Sequence, residues 1–331
     1  MNIGLIGLGK MGSNMALRLL KAKHHCAVFD LKQERVASLV KAGATAASSV
    51  EALIQALPKP RTVWVMVPAG KVTDSTVMQL NDLLDPGDTV VDGGNTFFKD
   101  DVRRAKLLAA KGIRYMDVGT SGGVWGADRG YCLMIGGTEQ SFRALEPVLA
   151  ALAPGPGAIL PTPGRKVATS AENGYLHCGP VGAGHFVKMI HNGIEYGLMQ
   201  AFAEGFDILK GSSSEDVEED YRFKLDLPEI AEVWRRGSVV SSWLLDLLSN
   251  AMSGDPQLAK FTGYVHDSGE GRWTVEAAIE EAVPADVISA ALFARFRSRH
   301  GHTFSEKVLS AMRYEFGGHI EESAHGNEKT G

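Results

Sequence analysis

A lysine, a histidine, an asparagine and a glutamate recur at helical spacing in the stretch G-A-G-H-F-V-K-M-I-H-N-G-I-E-Y, residues 182–196. Counted from Lys188, the residues His191, Asn192 and Glu195 stand three, four and seven positions on, so a helix puts all four on one stripe. An amine, an imidazole, an amide and a carboxyl on one face form a set able to move protons. Val187, Ile190, Ile194 and Leu198 lie on the other side and read as the buried face. A plain solvated stripe is the competing reading. Two features favour chemistry: the stripe lacks the usual Glu/Lys alternation, and a Gly-rich lead-in suits close backbone approach to another element.

The elements that must position this stripe lie upstream. Asn2 to Ile6 reads as a buried strand, followed by Gly7-Leu8-Gly9-Lys10-Met11-Gly12 and a helical pattern from Met11 to Leu20. G-x-G-x-x-G between strand and helix is a dinucleotide cradle: the first Gly makes the turn, the second admits a pyrophosphate, and the third lets helix and strand pack. A second strand ends in Asp30, placed to accept hydrogen bonds from an adenosine ribose. A carboxylate there repels a ribose phosphate, which favours NAD over NADP, although Lys32 and Arg35 stand close by.

Three further strands are expected, and each delivers small or polar residues to the same sheet edge. Thr62–Val67 runs into Pro68-Ala69-Gly70, Thr89–Asp92 into Gly93-Gly94-Asn95-Thr96, and Ile113–Val118 into Gly119-Thr120-Ser121-Gly122-Gly123. In open α/β sheets that edge is where ligands sit. Residues 131–135 and a helix over 140–152 close the domain. The Pro/Gly-rich segment 153–180 reads as an ordered connection. Beyond the lysine helix the patterns are all helical. The expected organisation is an α/β Rossmann-type doubly wound sheet over 1–180, an all-helical substrate and oligomerisation domain over 181–320, and a disordered polar tail over 321–331.

Bulk properties narrow the function. A 331-residue chain with 44% apolar residues and a net charge of −5 suits a soluble enzyme rather than a nucleic-acid binder. Cys26, Cys132 and Cys178 form neither a disulfide framework nor a metal knuckle, which suits a cytoplasmic protein. No apolar run approaches the ~20 residues that span a bilayer. No histidine pair has convincing ligand spacing, so no metal is expected. Arg235, Arg236, Arg272, Arg295, Arg297, Arg299 and Arg313 collect in the second half. They suit either an anionic substrate or ordinary helix-surface salt bridges.

With G-L-G-x-M-G, S-G-G and the lysine helix in this order, the chain resembles the β-hydroxyacid dehydrogenase superfamily. Within it, the chain is similar to the decarboxylating 6-phosphogluconate dehydrogenases in their shorter, NAD-preferring bacterial form. The motifs are D-G-G-N-T around Asn95, G-T-S-G-G at Ser121 to Gly123, G-H-F-V-K-M-I-H-N-G-I-E-Y, V-W-R-R-G from Val233, F-A-R at Arg295, and R-Y-E-F-G-G-H from Arg313 to His319. The 3-hydroxyisobutyrate dehydrogenases keep the Gly-rich loop and the lysine but have Asn-Asn in place of His191-Asn192.

The resemblance implies NAD as cofactor, with contacts from the Gly7–Gly12 loop, Asp30, Val67, Pro68, Ala69 and Asn95. It implies Lys188 as general base and Glu195 as general acid, with His191 and Asn192 beside them. Asn95, Ser121, Gly122, Gly123, His191 and Asn192 would hold a phosphorylated sugar acid. Tyr196, Arg295, Arg313 and His319 would surround its phosphate, the last two from a neighbouring subunit of a dimer or tetramer. No metal, nucleic acid or membrane partner is implied. Two places depart from the longer form: Ser268 stands where a phosphate-binding lysine is expected, with Arg272 nearby, and Asp30-Leu31-Lys32 replaces Asn-Arg-Thr. The alternative is a related dehydrogenase acting on an unphosphorylated β-hydroxy acid without decarboxylation; a catalytically silent scaffold would be expected to have lost Lys188 or Glu195.

Overall fold

The computed structural model describes residues 1–317, so His319 and the tail over 321–331 lie outside the described residues. The chain divides into two compact units, Met1–Asn192 and Gly193–Gly331.

The first unit begins with β1 (Asn2–Ile6), α1 (Lys10–Lys21), β2 (His25–Phe29), α2 (Gln33–Lys41), the two-residue β3 (Thr45–Ala46), α3 (Val50–Gln55) and β4 (Thr62–Val65). It continues with α4 (Lys71–Leu83), β5 (Thr89–Asp92), α5 (Phe98–Ala109), β6 (Arg114–Ser121), α6 (Gly126–Arg129), β7 (Cys132–Gly136), α7 (Glu139–Leu152) and β8 (Tyr175–Gly179). It ends within α8 (Ala183–Gly211). The strands form one sheet in the order β3-β2-β1-β4-β5-β6-β7-β8. All neighbours are parallel except β6 and β7, which pair antiparallel.

Consecutive apolar strand residues feed opposite faces, as a sheet covered on both sides requires. Ile3, Leu5, Trp64 and Val91 join one core with Met15 and Leu19 of α1 and Leu145 and Leu149 of α7. Ile6, Val63, Val65 and Val90 join the other with Leu53, Leu80 and Leu108 of α3, α4 and α5.

Two sequence expectations need correction here. The segment 153–180 is not only a connection, because it contains β8, paired in parallel with β7. Its residues Tyr175 to Cys178 follow a Pro/Gly-rich stretch that masks the strand signal. The third expected loop also begins later, since β6 runs through Gly119 and Thr120 to Ser121 by antiparallel pairing with β7.

The second unit is helical throughout its described residues. It comprises the rest of α8, then α9 (Leu227–Arg235), α10 (Trp243–Gly254), α11 (Glu270–Glu280), α12 (Asp286–Arg297) and α13 (Phe304–Gly317). Asp226 and Ser242 cap α9 and α10 by accepting from the Glu229 and Leu245 amides. Its apolar packing is divided between two small clusters, one around Phe206, Leu245 and Met252 and one around Tyr196, Ala291 and Leu292.

Candidate active site

The nucleotide cradle is built as its residue types require. Gly7 turns the chain with φ +91°, and a Cβ there would lie 2.5 Å from the Met66 carbonyl oxygen. A Cβ at Gly12 would lie 2.1 Å from the Gly7 carbonyl oxygen, so only glycine lets α1 start against β1. Gly9, between them, faces open space at the α1 N-terminus, and no acidic residue stands in the first turn. This geometry fits a dinucleotide pyrophosphate.

Asp30 follows β2 and is nearly buried. Its Oδ2 accepts from the Leu8 amide at 2.7 Å and its Oδ1 from the Lys32 amide at 2.7 Å. Arg35 Nη1 lies 3.3 Å from Oδ2. Burial pushes the Asp30 carboxyl up, but the Lys32 and Leu8 amides together with Arg35 outweigh it and hold the group ionised, below its usual range. The residue therefore anchors the Gly-rich loop through the Leu8 amide.

Val67, Pro68 and Ala69 follow β4, and exposed Asn95 follows β5. Asp92 shapes the Asn95 loop by accepting from the Gly94 amide at 2.9 Å and the Thr96 hydroxyl at 2.8 Å.

Glycines let the lysine helix dock on the sheet. A Cβ on Gly184 would lie 2.4 Å from the Met134 carbonyl oxygen and 2.6 Å from the Gly136 amide. A Cβ on Gly119 would lie 2.3 Å from Lys188 Cβ, so the lysine stem rests on bare strand backbone. The face of α8 that docks thus carries Gly184, His185 and Met189. This corrects the expected buried face: Val187, Ile194 and Leu198 are exposed and Ile190 is half-buried. Hydrophobicity named the wrong side because close approach here depends on residues without bulk.

At the end of β6, Lys188 Nζ donates to Asn192 Oδ1, which also lies 3.0 Å from His191 Nδ1. An amide oxygen serving both requires the Nδ1–H tautomer, which leaves His191 Nε2 to accept from the Ser121 hydroxyl at 3.3 Å. Gly122 and Gly123 both have positive φ, and the loop is tied back to α1 by Asn14 Nδ2 donating to the Val124 carbonyl. Within this unit the structure brings together Lys188, His191, Asn192 and Ser121.

The remaining candidates belong to the second unit. Glu195 is half-buried on α8, seven residues after Lys188. Tyr196 is buried, with the Arg295 guanidinium 3.6 Å from its ring centroid. Arg295 also donates to the His266 carbonyl at 3.0 Å. Arg272 and Arg299 both pair with Asp267, at 2.8 and 2.6 Å. Ser268 donates its hydroxyl to Glu270 at 2.7 Å. Of the other arginines, Arg235 and Arg236 pair with Glu232, Arg297 pairs with Glu306, and Arg313 is exposed.

A buried charge cluster beneath the first unit's site was not anticipated. Asp92, Asp101, Asp117, Arg104 and His185 are all essentially inaccessible. Asp92, Asp101 and His185 could each present one ligand atom to a metal, the three lying within 4.8 Å. Arg104 instead supplies the cation, 3.2 Å from Asp92 and 3.9 Å from Asp101. Burial pushes Asp101 up to about 7 against the pull of His185. Burial would lower His185, but Asp101 at 2.7 Å raises it to about 10. The sequence signal was present: aspartates inside the apolar strands T-V-V-D and M-D-V must find buried partners.

Two family models match the chain. The NAD-binding domain of 6-phosphogluconate dehydrogenase covers residues 2–162, and the C-terminal domain of 6-phosphogluconate dehydrogenase covers residues 184–219. An NAD(+)-dependent, decarboxylating 6-phosphogluconate dehydrogenase of Haloferax volcanii is 41% identical over 320 residues, 96% of this chain and 98% of that protein. A Bacillus subtilis enzyme of the same description is 35% identical over 308 residues, 90% of this chain but 61% of its own length. Among solved structures, Plasmodium falciparum 6-phosphogluconate dehydrogenase, described with NADP+ and with 6-phosphogluconate, superposes with a TM-score of 0.76 at 27% identity. That match spans 98% of this chain and 67% of the other.

Proposed function

This chain belongs to the 6-phosphogluconate dehydrogenase family, and on that premise we propose that it converts 6-phospho-D-gluconate to D-ribulose 5-phosphate and carbon dioxide with NAD as oxidant. The observation that carries the reading is Lys188 bonded to Asn192, with Asn192 beside His191 and His191 beside Ser121, in the unit that also offers the open Gly9 cradle. The nicotinamide, when bound, accepts the hydride that leaves C3.

In this reading the Lys188 amine takes the proton of the C3 hydroxyl as the ketone forms. The protonated amine then faces the ketone oxygen and stabilises the charge that builds there as the C1–C2 bond breaks and carbon dioxide leaves. The oxygen takes the proton back, giving an enediol. Glu195 delivers a proton to the carbon that lost carbon dioxide while the Lys188 amine takes the proton off the enediol oxygen, which completes the ketose. Asn192 and His191 orient the lysine, and Asn95, Ser121, Gly122 and Gly123 grip the sugar acid. Tyr196, Arg295, Arg313 and His319 take its phosphate, with the last two supplied by a neighbouring copy in a homo-oligomer. Gly7, Leu8, Gly9, Lys10, Met11, Gly12, Asp30, Val67, Pro68, Ala69 and Asn95 hold the cofactor. The lysine does the electrophilic work for which other decarboxylases use a divalent ion. The reading includes a cytoplasmic setting and no nucleic-acid or membrane partner; among the described residues no helix is long and apolar enough to cross a membrane.

Asp30 supports NAD, while its ion pair with Arg35 leaves a cation beside the ribose position and supports measurable use of NADP. Initial rates with 6-phosphogluconate and either cofactor, with a chelator present and carbon dioxide followed, test all of this together. Equal reduction and carbon dioxide release, NAD preferred, and no effect of chelator are expected. Reduction without carbon dioxide would sink the decarboxylation half. Equal rates with a phosphate-free sugar acid would favour the unphosphorylated alternative.

A further inference from the structure

Two elements of the proposed site hang from the same buried cluster. On one side Asp92 accepts from the Gly94 amide at 2.9 Å and the Thr96 hydroxyl at 2.8 Å, fixing the loop that presents Asn95. On the other, Asp117 accepts from the Gly182 and His185 amides at 2.7 and 2.8 Å, capping the N-terminus of α8. His185 Nδ1 sits 2.7 Å from Asp101 Oδ2. Between the two sides stand Arg104, 3.2 Å from Asp92, and Tyr115, whose hydroxyl donates to Asp101 at 2.9 Å and lies 3.2 Å from Asp92. The chain of contacts therefore runs unbroken from the Asn95 loop to the first turn of the Lys188 helix.

Stability alone does not call for such a cluster. Two cations and three carboxylates removed from water gain no more than well-packed apolar groups of equal size would. What they add is direction, since each hydrogen bond fixes a distance and an angle that apolar contact leaves loose. His185 is three residues before Lys188, so a shift of its anchor moves the amine by a comparable amount.

We propose that the Asp92–Arg104–Tyr115–Asp101–His185 network is a positioning device that locks the Asn95 loop and the Lys188 helix into one register, with His185 and Asp101 as its positioning residues. The proposal rests on the function assigned above, because it supposes that Lys188 and Asn95 act on one substrate.

His185→Leu cuts the network at the helix end. His185→Asn keeps a donor facing Asp101 without the charge. Thr96→Val loosens the loop end and leaves the helix untouched. Hydrogen–deuterium exchange is read over 93–97 and 183–192, alongside kcat, KM for 6-phosphogluconate and the Kd of NADH. His185→Leu is expected to speed exchange in both segments and lower kcat by about 10- to 100-fold, with the Kd of NADH within about twofold. His185→Asn is expected to recover most of that kcat. Thr96→Val is expected to speed exchange in the helix segment, which it does not touch. Exchange changes confined to the mutated side, or an Asn variant no better than Leu, would overturn the proposal. If His185→Leu fails to fold, the Thr96→Val comparison decides alone. Absence of wild-type turnover would remove the function assigned above, while exchange would still judge the network.

Discussion

The two units keep their charges in opposite ways. In the first, Asp92, Asp101, Asp117, Arg104 and His185 lie inside, each with bonds of fixed direction. In the second, two paired arginines sit at the rim: Arg272 is 49% and Arg236 70% exposed while paired with acids. An interior network resists rearrangement because breaking any member leaves a charge unpaired away from water. Rim pairs gain little and exchange partners cheaply, which under the proposed function suits side chains to be handed to an anionic substrate. Arg295 fits that role best, since it stacks on Tyr196 and donates to a carbonyl rather than to a carboxylate. Under the proposed function the first unit is a rigid frame for bond-making and the second a looser set of cations for binding.

The sharpest test of the frame is Lys188→Met. With the proposed base gone, turnover should fall by about 1,000-fold or more while NADH binding stays unchanged. Turnover near wild type would move the chemistry away from this helix. Next comes helix docking. Gly184→Ala places a Cβ 2.4 to 2.7 Å from three backbone atoms of β6 and β7, which cannot step aside. A loss of roughly 1–3 kcal/mol is expected from denaturant midpoints, with a matching drop in kcat as the lysine is displaced. The same substitution at Gly205, in the part of α8 that belongs to the second unit, meets nothing within 4 Å. It should stabilise the protein by up to about 1 kcal/mol, the helix propensity gained over glycine. Equal effects at the two glycines would erase the distinction between a docked and an open stretch of one helix.

The contrast also explains what the sequence made legible. The cradle could be read because each glycine of G-x-G-x-x-G has its own steric reason, and Gly7, Gly9 and Gly12 meet the surroundings those reasons imply. The lysine stripe could be read because helical spacing is set by the backbone alone. The docking face could not, because α8 packs through Gly184 on strand backbone, and glycine carries no hydrophobic signal for a periodicity argument. The buried network was legible only in part. Asp92 and Asp117 inside apolar strands announced that partners must exist, but Arg104, Tyr115 and His185 reach them from two helices and a strand by tertiary packing. Asp30 at the end of the second strand could be read from the sequence, whereas its grip on the Leu8 amide required coordinates.

A further comparison separates the units by pH, and the signs are opposite. His185 is raised from 6.5 to about 10, so its contribution is complete below the unfolded value and is lost as pH climbs towards the folded one. Asp101, raised from 3.8 to about 7, also loses stability with rising pH. Asp267 in the second unit moves the other way. The Arg272 guanidinium, aided by Arg299, holds its carboxyl far below 3.8 against burial, so its contribution is present above 3.8 and is lost as pH falls. Melting temperature should decline in the wild type from about pH 7 to 8, before unfolded thiols ionise at about 8.5, and His185→Asn should flatten that limb. Between about pH 5 and 3 a second decline should be shallower in Asp267→Asn, by the equivalent of at most about 1 kcal/mol because solvent reaches Arg272. If Asp267→Asn changed the acid limb as much as His185→Asn changes the alkaline one, the second unit's ion pairs would be held as firmly as those of the first, and the picture of a rigid frame and exchangeable cations would fail.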